Sequence, residues 1–592
     1  MSNTTALSGI FIGSRSLLIQ CAERFVRRGH QIRAIVSSDS SIQRWATDHG
    51  VACVAPGPDL VSRLGTEPFD YLFSVVNLAV LARDMLLLPR RAAINFHDGP
   101  LPAYAGLNVT SWALLNQERE HGVSWHVMSD RVDGGDILAE ARFPIAADDT
   151  ALTLNARCYE AAVATFEELI VALESGTVRR RRQDLQGRRY FGKDKRPTAA
   201  GNIDWSRPAA EIAALVRALD FGPYANPLTT AKISLRGVPI VVRRSEILES
   251  KSLRQPGTVT RIGSDQISVS TSTNDVALGT FTTPLGSPLR PKDLGQLYGL
   301  EEGDCLDSLD EPRRRVLGEL DGQMCKYEDF WLRRFTGLEP LEIPYAKLRS
   351  AAEAHHATRR VPVPAASLAH FDGAAGDVLL AAFIAYLSRI GGKADVAVPF
   401  RHPGLEPIVS TGDGLFSAHV PLRVSIDGGA DVATYVQRFL EELALVRKHG
   451  SYALDVAQRR PDVADNVRQW QDAVPHVAVE RVSSLAEVGT SRWDAEWTVI
   501  IPDDARAMVW RYREDVFDAS TMARIEGQLG AFLDDMLSGS RRLEEVTILS
   551  SEDRQLLTEC NATDASYERD RCVHHLFEAQ VQKTPDAIAR PF

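Results

Sequence analysis

Residues 94–102 read Ile94-Asn95-Phe96-His97-Asp98-Gly99-Pro100-Leu101-Pro102. Side chains alternate along a strand, so Asn95 and His97 share one side while Ile94 and Phe96 share the other. Apolar packing residues give way to polar ones at the strand's C-terminal end. That is where open α/β sheets bind ligands. Gly99-Pro100 then turns the chain. Further out, residues 7–16 (LSGIFIGSRS) read as a buried strand and a turn, and Leu17–Arg28 has helical apolar spacing with Gly29 as a cap. Gln31–Ser37 and Tyr71–Val76 read as further strands. Strands alternating with helices predict a doubly wound parallel sheet up to about residue 185.

The chain has 592 residues, 44% apolar and 24% charged, which predicts several soluble domains with sizeable cores. A net charge of −11 argues against nucleic-acid or anionic-membrane partners. No stretch reaches the roughly 18 apolar residues of a membrane helix. The start, MSNTTALSGIFIG, lacks a basic segment and a long apolar run, so no signal peptide is expected. The seven cysteines are scattered and form no CxxC, which predicts no disulfide framework, no metal site and a reducing cytoplasm.

A second informative segment is His121-Gly122-Val123-Ser124-Trp125-His126-Val127-Met128, an alternating strand, followed by Val132-Asp133-Gly134-Gly135-Asp136. The glycines between the two acids permit a tight loop that can bring carboxylates to a ligand. Taken singly, each segment also has a bland reading: polar groups tying down a turn, and a solvated Asp-Gly turn. His126 reads as a satisfied structural histidine.

Together the segments resemble the formyltransferases that use 10-formyltetrahydrofolate, among them methionyl-tRNA, glycinamide ribonucleotide and sugar N-formyltransferases. The run NVTSWALLNQEREHGVSWHVMSDRVDGGDIL (108–138) is similar nearly throughout, and Ile203-Asp204-Trp205 looks like the start of the family's C-terminal subdomain. The resemblance covers about residues 7–300. It implies a Rossmann-like catalytic domain over 1–185, then a linker and an OB-like β-barrel subdomain over 186–310. It carries Asn95, His97 and Asp133 over as catalytic residues. Asn95 would donate to the oxyanion formed when an amine attacks the formyl carbon. His97 would manage the amine proton, for which an ordinary imidazole pKa near ~6.5 is suited. Asp133 would orient that imidazole and stabilise its charged form. The cosubstrate, 10-formyltetrahydrofolate, would lie against Ser74, Val76 and Leu78, against Leu86, Leu87 and Pro89, and against Val132, Gly134 and Asp136.

Several other signals carry little. Gly9 and Gly13 fall short of GxGxxG, and Gly187-x₄-Gly192-Lys193-Asp194 lacks the Ser or Thr of a phosphate loop. Residues 179–200, with Arg179–Arg182 in a row, read as a solvated linker. Ser206 reads as the N-cap of a helix carrying Ile212, Leu215, Val216 and Leu219 on one face, and short β-patterned runs follow from Lys232.

Residues 326–550 resemble the C-terminal half of a nonribosomal peptide synthetase condensation domain, on Phe330-Trp331-Leu332, Leu341-Glu342-Ile343-Pro344, Gly414–Val424 and Thr547-Ile548-Leu549-Ser550. Val378–Ile390 reads as an apolar helix, His419–Ile426 as a strand, and Met522, Ile525, Leu529, Phe532, Leu533 and Met536 as one helix face. The HHxxxDG that condensation requires is absent, so a truncated, α+β remnant serving as spacer or docking platform is expected. Residues 551–592 look like a linker and, from Val573-His574-His575 to Ala589, the opening of an adenylation domain. The resemblance therefore implies adenylation and carrier domains beyond this chain. It also implies an acceptor: the amine of an aminoacyl thioester on a carrier protein's phosphopantetheine. The alternatives are a free amino acid, hydroxylated amino acid or amino sugar, or a non-catalytic cap.

Overall fold

A computed structural model describes residues 6–65, 67–339, 341–349, 355–363, 375–412, 414–487, 495–538, 541–566 and 569–588. Ala589, at the end of the adenylation-like stretch, lies outside them, as does part of 326–550. The chain divides into two compact units. The first comprises Met1–Glu339, Pro399–Leu422 and Ala444–Val474, and the second Pro340–Val398, Arg423–Leu443 and Pro475–Phe592.

The first unit begins with β1 (Ser8–Gly13), α1 (Arg15–Arg27), β2 (Gln31–Val36), α2 (Ser40–Asp48), β3 (Ala52–Val54), α3 (Leu60–Arg63), β4 (Tyr71–Val75), α4 (Arg83–Leu86) and β5 (Ala92–His97). It continues through β6 (Ala105–Gly106), α5 (Val109–Leu115), β7 (Glu120–Val127), β8 (Ile137–Pro144) and α6 (Ala151–Ser175). Seven strands form one sheet in the order β3-β2-β1-β4-β5-β7-β8. The pairs from β3 to β5 are parallel, and β7 and β8 are added antiparallel. Every residue of β4, YLFSV, is buried, as a parallel strand covered on both faces requires. Phe11, Phe25, Phe73, Trp125 and Phe166 pack one face of the sheet against α1 and α6. Register sets Asn95 opposite Ser74 on β4 and opposite His126 on β7.

The stretch expected as a solvated linker is instead a strap on this domain. Arg181 bridges Ile137, and β9 (Tyr190–Phe191) pairs in parallel with β6. Phe191 stacks against Tyr104 at 5.4 Å and Trp112 at 5.2 Å. Arg189 lies over the Tyr104 ring and Arg188 over Tyr190. The arginine-rich composition concealed this because guanidinium groups cover aromatic rings while keeping one edge in water.

Beyond the strap lies α7 (Ala209–Ala218), then β10 (Lys232–Leu235), β11 (Val238–Ile247), β12 (Val259–Ile262), β13 (Gln266–Val269), β14 (Val276–Thr282) and β15 (Pro288–Leu289). These strands form an antiparallel sheet, β10-β11-β14-β13-β12 with β15 on β14, the expected β module. Ser206 is not the cap of α7. It donates to Asp204 in a turn three residues before the helix, which starts after Pro208. Proline's fixed φ makes it the better residue at that boundary.

The residues 455–468 are built into this unit. The Asp455 carboxylate takes Lys232 Nζ at 2.8 Å, Arg459 Nε at 2.8 Å, and the backbone N–H and hydroxyl of Thr230 at 3.1 and 2.8 Å. Arg459 also pairs with Glu328 at 2.6 Å. Lys232, Asp455 and Arg459 are buried, so each charge depends on the others. Gln458 and Arg468 donate to the carbonyls of Thr283, Pro284 and Leu285.

Six further strands, His356–Pro362, Asp395–Arg401, Val420–Ser425, Val477–Val482, Trp497–Pro502 and Ala507–Arg513, form a mixed sheet. In chain order they are β16 to β21, and they lie as β16-β21-β20-β19-β17-β18. The expected apolar helix spans Ala375–Gly391, the expected strand is β18, and the expected helix face lies buried on Ala519–Leu537. Among the described residues no helix is long and apolar enough to cross a membrane.

Asp455→Ala leaves Lys232 and Arg459 with an unmatched buried charge, and should destabilise the protein by about 3–5 kcal/mol, read as a lower urea midpoint. A second effect concerns Asp321, whose buried Oδ2 has no hydrogen-bond partner among the described residues and whose carboxyl burial pushes up to about 6. Its folded pKa is raised, so the folded state loses stability as pH rises from about 4 to 6. Asp321→Asn should therefore stabilise at pH 8 by roughly 1–3 kcal/mol, a gain that fades as the pH is lowered toward 4.

Candidate active site

The C-terminal end of β5 brings two of the three expected catalytic side chains to one edge of the sheet. His97 is 5% exposed, and its Nε2 lies 2.5 Å from the Tyr104 carbonyl oxygen. A carbonyl only accepts, so Nε2 carries a hydrogen and donates it. The other ring nitrogen, Nδ1, is then free to take a proton, and it faces Asp133 Oδ2 at 3.8 Å. Asp133 sits beyond hydrogen-bond reach of the ring. The Tyr104 carbonyl, not Asp133, therefore orients His97, while Asp133 stabilises charge on it across a short gap. The sequence reading had given both tasks to the carboxylate.

Asp133 itself is held firmly. Its φ is +51°, in the left-handed region, and Gly106 N–H donates to its Oδ2 at 2.8 Å. Gly106, at φ +102°, passes so close to the strap that a Cβ there would lie 2.1 Å from the Phe191 carbonyl oxygen. Gly135 is equally constrained, since its Cβ would fall 1.9 Å from Val127 O. Gln183, from the strap, donates to the carbonyls of Asp133 at 2.9 Å and Gly135 at 2.6 Å. Burial alone would raise the Asp133 carboxyl. The charge of His97, contact with His126 and the Gly106 N–H outweigh it and hold the group well below the usual carboxylate range.

His126 is more than structural packing. Its Nδ1 lies 3.0 Å from Val127 O and therefore donates. Its Nε2 lies 3.2 Å from Asn95 Nδ2 and 3.5 Å from Asp133 Oδ1, so it accepts from the amide when the ring is neutral and faces the carboxylate as a donor when the ring is protonated. One amide hydrogen of Asn95 is thereby fixed toward His126, and its second hydrogen is left for a ligand. The strand β7 also supports the turn after β5: Ser124 Oγ donates to Gly99 O at 2.9 Å and accepts from Leu101 N–H at 3.2 Å. Sequence alternation placed Ser124 and His126 on one side of a strand, which was the available signal. Nothing in the sequence pointed to Tyr104 O, Gly106 N–H or Gln183.

The expected cosubstrate wall divides. Leu78, Leu87 and Val132 expose large apolar side chains, at 76, 73 and 40%. Leu86 packs partly against Ile10, Ile12 and Leu72, and Val76, at φ +51°, against the core around Phe73. Pro89, Gly134 and Asp136 are half-buried. Ser74, in register with Asn95, is fully buried, and its hydroxyl has no partner among the described residues.

Residues 57–170 match the family model described as formyl transferase, and residues 197–298 the model described as formyl transferase, C-terminal domain. The chain carries a formyl transferase over these residues. The sheet carrying β5 and β7 and the antiparallel β module are its two parts. Solved structures similar to it include an N-formyltransferase from Helicobacter canadensis in complex with folinic acid and dTDP-3-aminofucose. That protein is 16% identical, with 46% of this chain and 99% of that one covered and a TM-score of 0.39. HypX from Aquifex aeolicus in complex with tetrahydrofolic acid is 18% identical, covering 52% of this chain and 51% of its own, at a TM-score of 0.37.

The depressed Asp133 carboxyl makes a prediction about this formyltransferase. Its stabilisation is present above the ordinary carboxylate pKa near ~3.9 and is lost as pH falls through the lower folded value. Asp133→Asn should flatten the loss of stability between about pH 5 and 3. It should also lower formyl transfer by roughly 10²–10⁴, the range for removing a group that stabilises a catalytic histidine.

Proposed function

We propose that this protein transfers the formyl group of 10-formyltetrahydrofolate to the amine of an aminoacyl thioester borne on a carrier protein's phosphopantetheine. The observation that carries the formyl-transfer part is the gathering of Asn95, His97 and Asp133 at one strand end. There a spare amide N–H, a free imidazole lone pair and an ionised carboxylate converge. The exposed Leu78, Leu87 and Val132 beside it fit the flat, apolar ring system of a reduced folate, and the loop backbone around Val132–Asp136 offers polar groups at its edge.

The chemistry balances simply. A bond forms between the amine nitrogen and the formyl carbon, and the bond from that carbon to N10 of the folate breaks. The amine loses one hydrogen and N10 gains one. Asn95 donates to the oxygen as negative charge builds on it, the stage at which a fixed donor contributes most. His97 takes the amine proton at Nδ1 and returns it toward the departing nitrogen. Asp133 stabilises the imidazolium between these events.

The carrier-bound acceptor is supported by the synthetase-like motifs of residues 326–592 and by the way residues 455–468 are built into the β module. We read 326–550 as a truncated condensation domain without its own chemistry, and the adenylation domain expected downstream as the loader of the carrier.

Incubation with 10-formyltetrahydrofolate and an aminoacyl-loaded carrier should add one formyl group to the carrier, read by intact mass. Formylation of a free amino acid or amino sugar, with the loaded carrier untouched, would replace the carrier reading. No formylation of either would overturn the catalytic one. Asn95→Ala and His97→Ala should keep the wild-type circular dichroism spectrum and lose about 10²–10³ in turnover.

A further inference from the structure

Two carboxylates approach His97. Asp133 Oδ2 lies 3.8 Å from its Nδ1, and Asp98 Oδ1 lies 3.9 Å from the same atom. Their surroundings differ. The Asp133 side chain is 9% exposed and takes the Gly106 N–H. The Asp98 side chain is 33% exposed, and among the described residues its carboxylate makes no hydrogen bond. Its backbone carbonyl, by contrast, is anchored by His121 Nε2 at 2.8 Å and the Cys158 thiol at 3.7 Å.

The titratable groups facing Asp98 come from three elements: His97 on β5, His121 on β7, and Cys158 and Tyr159 on α6. Burial lowers His121 below the ordinary histidine value and raises Cys158. Burial, and then Asp98, raise Tyr159 to about 12. All three are neutral near pH 7. Arg157 and Arg15 act on Cys158 and Tyr159, and neither pairs with Asp98. The backbone therefore fixes a partly exposed carboxylate beside the proton-accepting nitrogen, and among the described residues no Lys or Arg pairs with it.

The acceptor arrives with the missing charge. A primary amine near its pKa is largely an ammonium ion, and it must shed a proton next to His97 before it can attack. We propose that Asp98 forms the acceptor's ammonium subsite, gripping the R–NH₃⁺ group so that its nitrogen is delivered to the His97 side of the site. This rests on the formyl-transfer reading above. The ammonium gives one proton through His97 to solvent before attack, and a second to N10 as the carbon–N10 bond breaks. The subsite selects primary ammonium acceptors over hydroxyl or amide groups, which bring no positive charge. The sequence reading passed over Asp98 because Asp-Gly-Pro reads as a turn.

The test is steady-state kinetics of Asp98→Asn and Asp98→Ala with alanyl-pantetheine as acceptor and 10-formyltetrahydrofolate as donor, from pH 6 to 9. A hydrogen-bonded charge pair of this kind contributes about tenfold or more in affinity. Acceptor KM should rise about tenfold or more at pH 6.5 in both variants, with kcat within about threefold and the donor KM unchanged. The KM ratio to wild type should shrink as pH rises through the amine's pKa. An unchanged acceptor KM, or a fall in kcat alone, would overturn the subsite and leave Asp98 as a charge partner of His97. Absence of wild-type turnover would instead remove the formyl-transfer reading, and this one with it.

Discussion

The site depends on keeping one carboxylate charged inside the protein. Asp133 is nearly buried, and burial by itself favours the neutral acid. The fold counters this with the Gly106 N–H and with two imidazoles placed at 3.8 and 3.5 Å. The resulting anion keeps His97 ready to hold a proton. The same contacts lock the 132–136 loop, because Asp133 must adopt a left-handed conformation to reach all three. Such strain persists only where the surroundings over-determine it.

Those surroundings come from places far apart in the chain. Gly106 belongs to β6, Gln183 and Phe191 to the strap, and His126 to an antiparallel strand added beside the parallel ones. The division of labour follows. Tyr104 O sets which nitrogen of His97 carries hydrogen, His126 sets which way the Asn95 amide faces, and the strap braces the Asp133 backbone. Each reacting side chain is thus oriented by a neighbour that does not itself need to change protonation during the reaction.

A second buried charge cluster does comparable work away from this site. Asp455 gathers Lys232, Arg459 and two threonines, and ties residues 455–468 to the β module. Buried ion networks are poor sources of net stability and good sources of geometric specificity, because an alternative packing would strand a charge. The segment is accordingly part of the first unit's structure and more than a tether.

The sequence by itself determined the local pieces. Apolar runs such as Tyr71–Val76 read as strands, their alternation with helices predicted a parallel sheet, and the alternation of Ile94, Asn95, Phe96 and His97 put both polar groups on one side. The spacing of Asn95, His97 and Asp133 within a longer formyltransferase-like framework named the trio. These features are legible because period-two and helical patterns, and the identity of reactive groups, are properties of neighbours along the chain. Only the tertiary structure decided what depends on register and on backbone atoms. No sequence pattern shows that His126 would stand opposite Asn95, that the Tyr104 carbonyl would meet His97, or that an arginine-rich stretch would pack as a strap. Carbonyls and amide hydrogens are common to every residue, so their roles appear only when distant segments meet.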